Sequence, residues 1–156
     1  MISQTAEYAL RAMVFLANHN GPPTTTAEIA RHTRVPPGYL AKILQSLGRS
    51  ELVRSQRGLQ GGFTLAAAPG DITLLQVIGA VDPIRRITAC PLGLPSHEKL
   101  CPLHDRLDCA IAQFEEAFRH TTIGELVDPS ALQSKTCRFP GIITSKPGSK
   151  TAVTRQ

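Results

Sequence analysis

The sequence predicts a mainly α-helical protein with a small β-hairpin wing: a winged helix-turn-helix unit followed by a long dimerisation helix. Three observations lead there. Residues 25–65, TTAEIARHTRVPPGYLAKILQSLGRSELVRSQRGLQGGFTL, read as helix, tight turn, second helix, then two short strands around a glycine-rich loop. Further on, Leu103, Leu107, Ile111, Phe114 and Phe118 recur at spacings of four, four, three and four, a single apolar stripe near the seam spacing of a coiled coil. Charge is segregated as well. Residues 1–70 hold seven Lys/Arg against three acids, residues 71–127 five against eight, and residues 128–156 five against one.

The 156 residues suit one compact domain with an appendage: a winged helix-turn-helix region over 2–80, a loop and long helix over 81–127, and a flexible basic tail over 128–156. Residues 3–19 form the first helix, with Ala6, Leu10, Met13, Val14 and Ala17 on one face, and NHNGPP ends it. Thr25 with Glu28 makes a capping box opening a short helix to His32. Thr33–Pro36 turns, because a residue ahead of proline is pushed out of the α region, and Pro37 suits the first turn of the next helix. There Leu40, Ile43, Leu44 and Leu47 form the apolar stripe, and Gly48 and Ser50 mark the end. LVRSQ reads as a half-buried strand, FTLA as its partner, and glycines 58, 61 and 62 as suppliers of positive φ between them. After Pro69-Gly70-Asp71, Thr73 caps a helix whose Leu74, Leu75, Val77 and Ile78 are mostly core, and DPIRR leaves the domain. HTTIGELV caps and begins a short last helix.

This layout places candidate contacts to duplex DNA on the second helix of the motif and on the wing. Pro37, Gly38 and Tyr39 stand at a helix N-terminus, which offers amides to phosphate. Lys42, Gln45, Ser46 and Arg49 lie off the apolar stripe, where side chains reach base edges or phosphates in a major groove. Arg57 at the wing tip is placed to enter a minor groove, with Gln60 beside it. The positive balance of residues 1–70 matches a phosphate-facing surface, and the acidic middle argues against indiscriminate binding along the whole chain.

A second chemistry resides in CPLGLPSHEKLCPLHDRLDC, residues 90–109, with three cysteines and two histidines. Thiolates and imidazoles bind borderline and soft metals, and proline and glycine keep the first half off regular structure so that spaced ligands can converge. Cys101 and His104 are three apart, hence on one face of a helix starting there. Cys137, in TCRFPG, is read as incidental. The apolar runs are too short for a membrane span, and the N-terminus lacks the pattern of a signal peptide, so the expected compartment is the cytoplasm. Four cysteines there point to metal, redox chemistry or burial before disulfides.

Three stretches, SQTAEYALRAMVFLA, AEIARHTRVPPGYLAKILQSLGRSELVRSQRGLQGGFTLA and ITLLQVIGAVD, together resemble the bacterial IscR/NsrR family of winged-helix transcription regulators, over about residues 2–127. The resemblance implies a homodimer on a pseudo-palindromic operator, acting as a repressor, often with an iron–sulfur cluster as sensor of redox state, nitric oxide or iron. It also implies that the long helix crosses its symmetry mate. Cluster-bearing members carry three cysteines in the loop and sometimes a histidine three residues after the last. Cys90 resembles the first, Cys101 the last and His104 that histidine; the middle cysteine has no counterpart, His97 or Ser96 lying in its neighbourhood. Cys109 matches no family ligand, while Glu7 matches an acidic ligand lent by the neighbouring subunit in some members. Where relatives often carry an acidic residue that tunes site choice, this chain has Ala41.

Several readings stay open at this level. The metal is an iron–sulfur cluster completed by His97, Cys109 or Glu7, or a single zinc-like ion on Cys90, His97, Cys101 and His104. With no metal, the thiols are buried or oxidised directly, or a partner protein controls the regulator. A remote alternative is a thiol-dependent enzyme using Cys101 with His104 as base.

Overall fold

The computed structural model describes residues 2–19, 21–91 and 99–127. The element order is α1 (Gln4–Asn18), α2 (Thr26–Thr33), α3 (Pro37–Arg49), β1 (Val53–Gln56), β2 (Gly62–Leu65), a 3-10 turn (Pro69–Asp71), α4 (Leu74–Val81), α5 (Pro102–His120) and α6 (Ile123–Val127). The expected winged helix-turn-helix and long helix are both present. His97, Cys137 and the expected tail lie outside the described residues.

α1 is the axis of the domain. Ser3 caps it by accepting the Ala6 N–H, and Ala6, Ala9, Ala12, Met13, Val14, Phe15 and Leu16 are all buried. One apolar face was expected; burial extends round more of the helix because α2, α3, α4, α6 and β2 all pack on it. Leu10 and Ala17 are only partly covered.

α2 opens on Thr25, whose hydroxyl accepts the Glu28 N–H. The reciprocal two-armed box forms at Thr73 and Gln76, where α4 starts. Arg34 closes α2 in the left-handed conformation, φ 57°, and buried Val35 plugs the turn into the core. α3 then buries Leu40, Ile43, Leu44 and Leu47, the predicted stripe, against α1, α2 and α4. Of the predicted α4 core, Leu74, Val77 and Ile78 are buried, and Leu75 is half-buried.

β1 and β2 pair antiparallel, with Val53 opposite Leu65 and Gln56 opposite Gly62. The strand expected to be half-buried is covered only at its root: Val53 is buried but Arg54, Ser55 and Gln56 are all exposed, because beyond that point a two-stranded wing has no layer to pack on. The wing is anchored by a third segment, since Thr24 N–H donates to Phe63 O at 3.1 Å and Phe63 N–H to Thr24 O at 2.8 Å. The glycines act differently from expectation. Gly58 has φ 112°, whereas Gly61 and Gly62 are required by proximity. A Cβ on Gly61 would meet Gln56 O at 2.4 Å, and one on Gly62 the Thr24 carbonyl at 2.5 Å.

At the other end, Thr73 bridges Thr122, and α6 packs against α1 and the 3-10 turn, seating Ile123 in the core. α5 is different in kind. It is the longest helix and buries no residue; Leu103 is 64% and Leu107 47% exposed. Its C-terminal half meets the domain through half-buried Phe118, stacked edge-on against Phe114 at 4.3 Å.

Candidate DNA-facing surface and metal centre

Opposite its buried stripe, α3 turns Pro37, Gly38, Tyr39, Lys42, Gln45 and Arg49 to solvent, with Ser46 half-buried. Pro36 is the N-cap without a side-chain hydrogen bond; its carbonyl accepts the Tyr39 and Leu40 N–H groups, and since Pro37 has no N–H the Gly38 amide is the one in the first turn left to another acceptor. Tyr39, a large ring, is 61% exposed. Arg57 and Gln60 are exposed at the wing tip with Leu59 between them. The helix and the wing thus present nine candidate residues, eight exposed and Ser46 half-buried, on α3 and the hairpin that follows it.

Two residues of this surface were not singled out from the sequence. Arg54, in β1 opposite Thr64, is exposed and adds a cation to the wing. Leu59 has nothing packed on it, with a relative exposure of 109%. Its position in a glycine-bounded loop, RGLQGG, was a signal that a side chain there finds no core.

The second site forms where the chain returns to α5. Cys101 is the N-cap of α5 and His104 lies in its first turn, so the three-residue spacing places thiol and imidazole on one face. Cys101 Sγ is 3.1 Å from His104 Nδ1, and Cys90 Sγ, from the segment after α4, is 3.7 Å from the same nitrogen. The three donor atoms lie within 4.8 Å of one another, and each residue is half-buried. Among the described residues this is the one group of three or more such donors. Cys109, two turns further along α5, is exposed and outside it. Glu7 is outside it too, exposed on α1 and ion-paired with Arg11.

Close to Cys90, a clamp that motif reading passed over ties the same segment to α5. Arg86 Nε donates to Asp108 Oδ1 at 2.7 Å, its second nitrogen reaches Oδ2, and Ile87 N–H donates to the same Oδ1 at 2.8 Å. Glu115 stands 3.6 Å from the remaining guanidinium nitrogen. The Arg86 hydrogen bonds, then the Ile87 amide, hold the Asp108 carboxyl down at about 2, against an ordinary 3.8. Beside the clamp a groove of about 510 Å³ runs between α5 and the ends of α1 and α4, lined by Ile78, Ile84, Ile87, Leu107, Ile111 and Phe114 among others.

The Rrf2 family model, described as an iron-dependent transcriptional regulator, matches residues 2–129. The chain belongs to the Rrf2 family. An Rrf2 chain of this length is similar to a Mycobacterium tuberculosis protein provisionally named an HTH-type transcriptional regulator, 34% identical over 128 residues covering 80% of each chain. An Aquifex aeolicus protein with the same provisional name is 29% identical over 133 residues, 82% of this chain and 92% of that one. Among solved structures, CymR, the global cysteine regulator of B. subtilis, superposes with a TM-score of 0.68 at 26% identity, covering 81% of this chain and 95% of CymR. T. potens IscR, at 23% identity and a TM-score of 0.69 over 89% of this chain and 93% of its own, shares the fold. The architecture of this Rrf2 protein is therefore that of winged-helix regulators, as the sequence predicted. Among the described residues no helix is long and apolar enough to cross a membrane.

Proposed function

We propose that the protein is a cytoplasmic transcription repressor that binds a pseudo-palindromic operator as a homodimer. It responds to a metal centre, in the form of an iron–sulfur cluster, at Cys90, Cys101 and His104. The observation that carries the sensor is the convergence of three metal-binding donors at the N-terminus of a helix that buries no residue completely.

The donor set fits the group. Two thiolates and one imidazole are ligands that iron–sulfur centres accept, histidine replacing cysteine as in Rieske-type centres. Cys101 and His104 form a chelate from one helical turn, and Cys90 supplies a ligand from the opposite strand of chain. A bound cluster would supply redox sensitivity and reactivity toward small oxidants. The chain's own residues set which ligands face it and how far solvent reaches it, each donor residue being half-buried. His97, Cys109 and Glu7 are the residues proposed for the remaining ligation.

A specific observation also favours a single tetrahedral ion. Bonds of about 2.3 Å to sulfur and 2.0 Å to nitrogen set S···N separations of roughly 3.5 Å, and the observed 3.1 and 3.7 Å bracket that value. Anaerobic purification with iron, sulfide and zinc analysis on one sample separates the two. Matching iron and sulfide support the cluster; stoichiometric zinc without sulfide supports the ion. A metal-free chain that still binds its operator would remove the sensor and leave control to thiol oxidation or a partner protein. The Cys101–His104 pairing would suit a thiol enzyme as well, but the family is one of transcription regulators.

Dimerisation is proposed from α5. Two recognition helices must sit one DNA turn apart, about 34 Å, to read a palindrome, and one protomer offers one such helix. Exposed Leu103 and Leu107, beside the apolar groove, are the surface we assign to a second copy of α5. Light scattering should give a dimer, and Leu107→Arg should give a monomer that loses operator binding. A wild-type monomer with full operator affinity would defeat the proposal.

A further inference from the structure

Resting on the metal reading above, we propose that Arg86 is the positioning residue of the metal site: it fixes the 83–91 segment along α5 so that Cys90 meets Cys101 and His104. The segment runs antiparallel to the helix. Arg86 stands against Asp108 and Glu115, and four residues later Cys90 stands against His104, four residues before Asp108. Matched offsets on the two sides make the clamp and the site two rungs of one ladder.

The clamp has the marks of a device for position. An exposed ion pair ordinarily contributes little, but this one is bidentate and its carboxylate is saturated by a third, backbone donor. The Asp108 side chain is 15% and the Glu115 side chain 19% exposed, although α5 buries no whole residue; the segment from α4 is what covers them. Ile87 N–H is the backbone group that bonds to Asp108, so the clamp fixes main chain, three residues from Cys90, as well as a side chain. Removing it takes away the constraint that fixes main chain three residues from Cys90, and a less firmly placed ligand binds more weakly by the ordering it must then undergo.

Cobalt(II) is the probe, added anaerobically to reduced full-length protein, with affinity read by chelator competition and ligation by the thiolate-to-cobalt charge-transfer band. Wild type should bind with that band. Arg86→Ala should weaken binding at least tenfold with helix content unchanged, the scale on which residues that orient metal ligands act. The sign is informative: deleting a cation near a cation site would, by charge alone, tighten binding. Arg86→Lys should recover only part of the loss, because an ammonium cannot form the bidentate fork. Arg85→Ala, the exposed neighbouring arginine, should bind like wild type. Arg86→Ala within twofold of wild type would overturn the inference, as would an equal loss in Arg85→Ala. Wild-type protein that takes up no cobalt would remove the metal reading and this inference together, an outcome distinct from the other two.

Discussion

Replacing Gly62 by Ala tests the claim that this position is glycine because of close approach to Thr24 and not because of left-handed backbone. The new Cβ would stand 2.5 Å from the Thr24 carbonyl carbon and oxygen and 2.8 Å from its nitrogen, all backbone atoms that no rotamer change can move. Ordinary contact requires the two segments to part by about 1 Å, an overpacking that typically costs 1–3 kcal/mol. That shift would break the two hydrogen bonds between Thr24 and Phe63, at 3.1 and 2.8 Å, each contributing about 1 kcal/mol net. A loss of about 2 kcal/mol follows, and at about 4 °C per kcal/mol for a domain of this size Tm should fall by roughly 8 °C. Thermal unfolding followed by circular dichroism measures it, and amide exchange at Phe63 reports whether the bridge opened. A fall under 2 °C with Phe63 still protected would refute the account. Since Arg57 and Gln60 ride on the same hairpin, operator affinity should fall more than core stability does.

Three further outcomes follow from the same structure. If exposed Lys42 contacts phosphate, Lys42→Ala should lower the slope of log affinity against log salt by about 0.9 per protomer, nearly two for a dimer; an unchanged slope in anisotropy titrations would place Lys42 off the DNA. Leu44→Ala, emptying a fully buried site on α3, should cost 2–5 kcal/mol in urea unfolding, and a cost under 1 kcal/mol would mean the helix is not seated as described. Because Asp108 is held below its ordinary value, its clamp contributes stability that is fully present above about pH 4 and is lost as pH falls toward 2. The carboxyl resonance of Asp108 should therefore titrate near 2, and the stability gap between wild type and Asp108→Asn should close over that window; titration near 4 would show the clamp open in solution.

The helices were legible because each carries its own start and stop within a few residues. Ser3, Thr25 and Thr73 accept amides at helix starts, and Leu40, Ile43, Leu44 and Leu47 all face the core, as their spacing required. Cys101 and His104 were legible for the same reason, being three apart at the start of a helix. Non-local facts were not. Nothing near Gly62 in sequence reveals that Thr24 lies against it, and local reasoning assigned that glycine to turn conformation. Arg86 and Asp108 are 22 residues apart and belong to no motif, so the pair proposed to position Cys90 emerged only with the fold. Arg34, a non-glycine residue in the left-handed region, likewise sits where local preference alone would not put it.

The segment between α4 and α5 joins what the sequence presents as separate parts. Its polar residue Arg86 grips Asp108, its thiol Cys90 faces His104, and its apolar residues Ile84 and Ile87 line the groove beside Leu107. A change in ligation that displaced Cys90 would pull on main chain already fixed at Ile87, leaving three residues in which to absorb it. Displacement beyond that reach must either break the clamp or carry Ile84 and Ile87 with it, altering the surface proposed to receive the second copy. α4, at the head of the segment, packs against both α5 and α3, so the same displacement bears on the recognition helix from within the protomer. A tenfold change in operator affinity needs only about 1.4 kcal/mol of difference between two such arrangements. Making or breaking the clamp is thus the step by which a change at Cys90 would reach both the proposed dimer surface and the recognition helix.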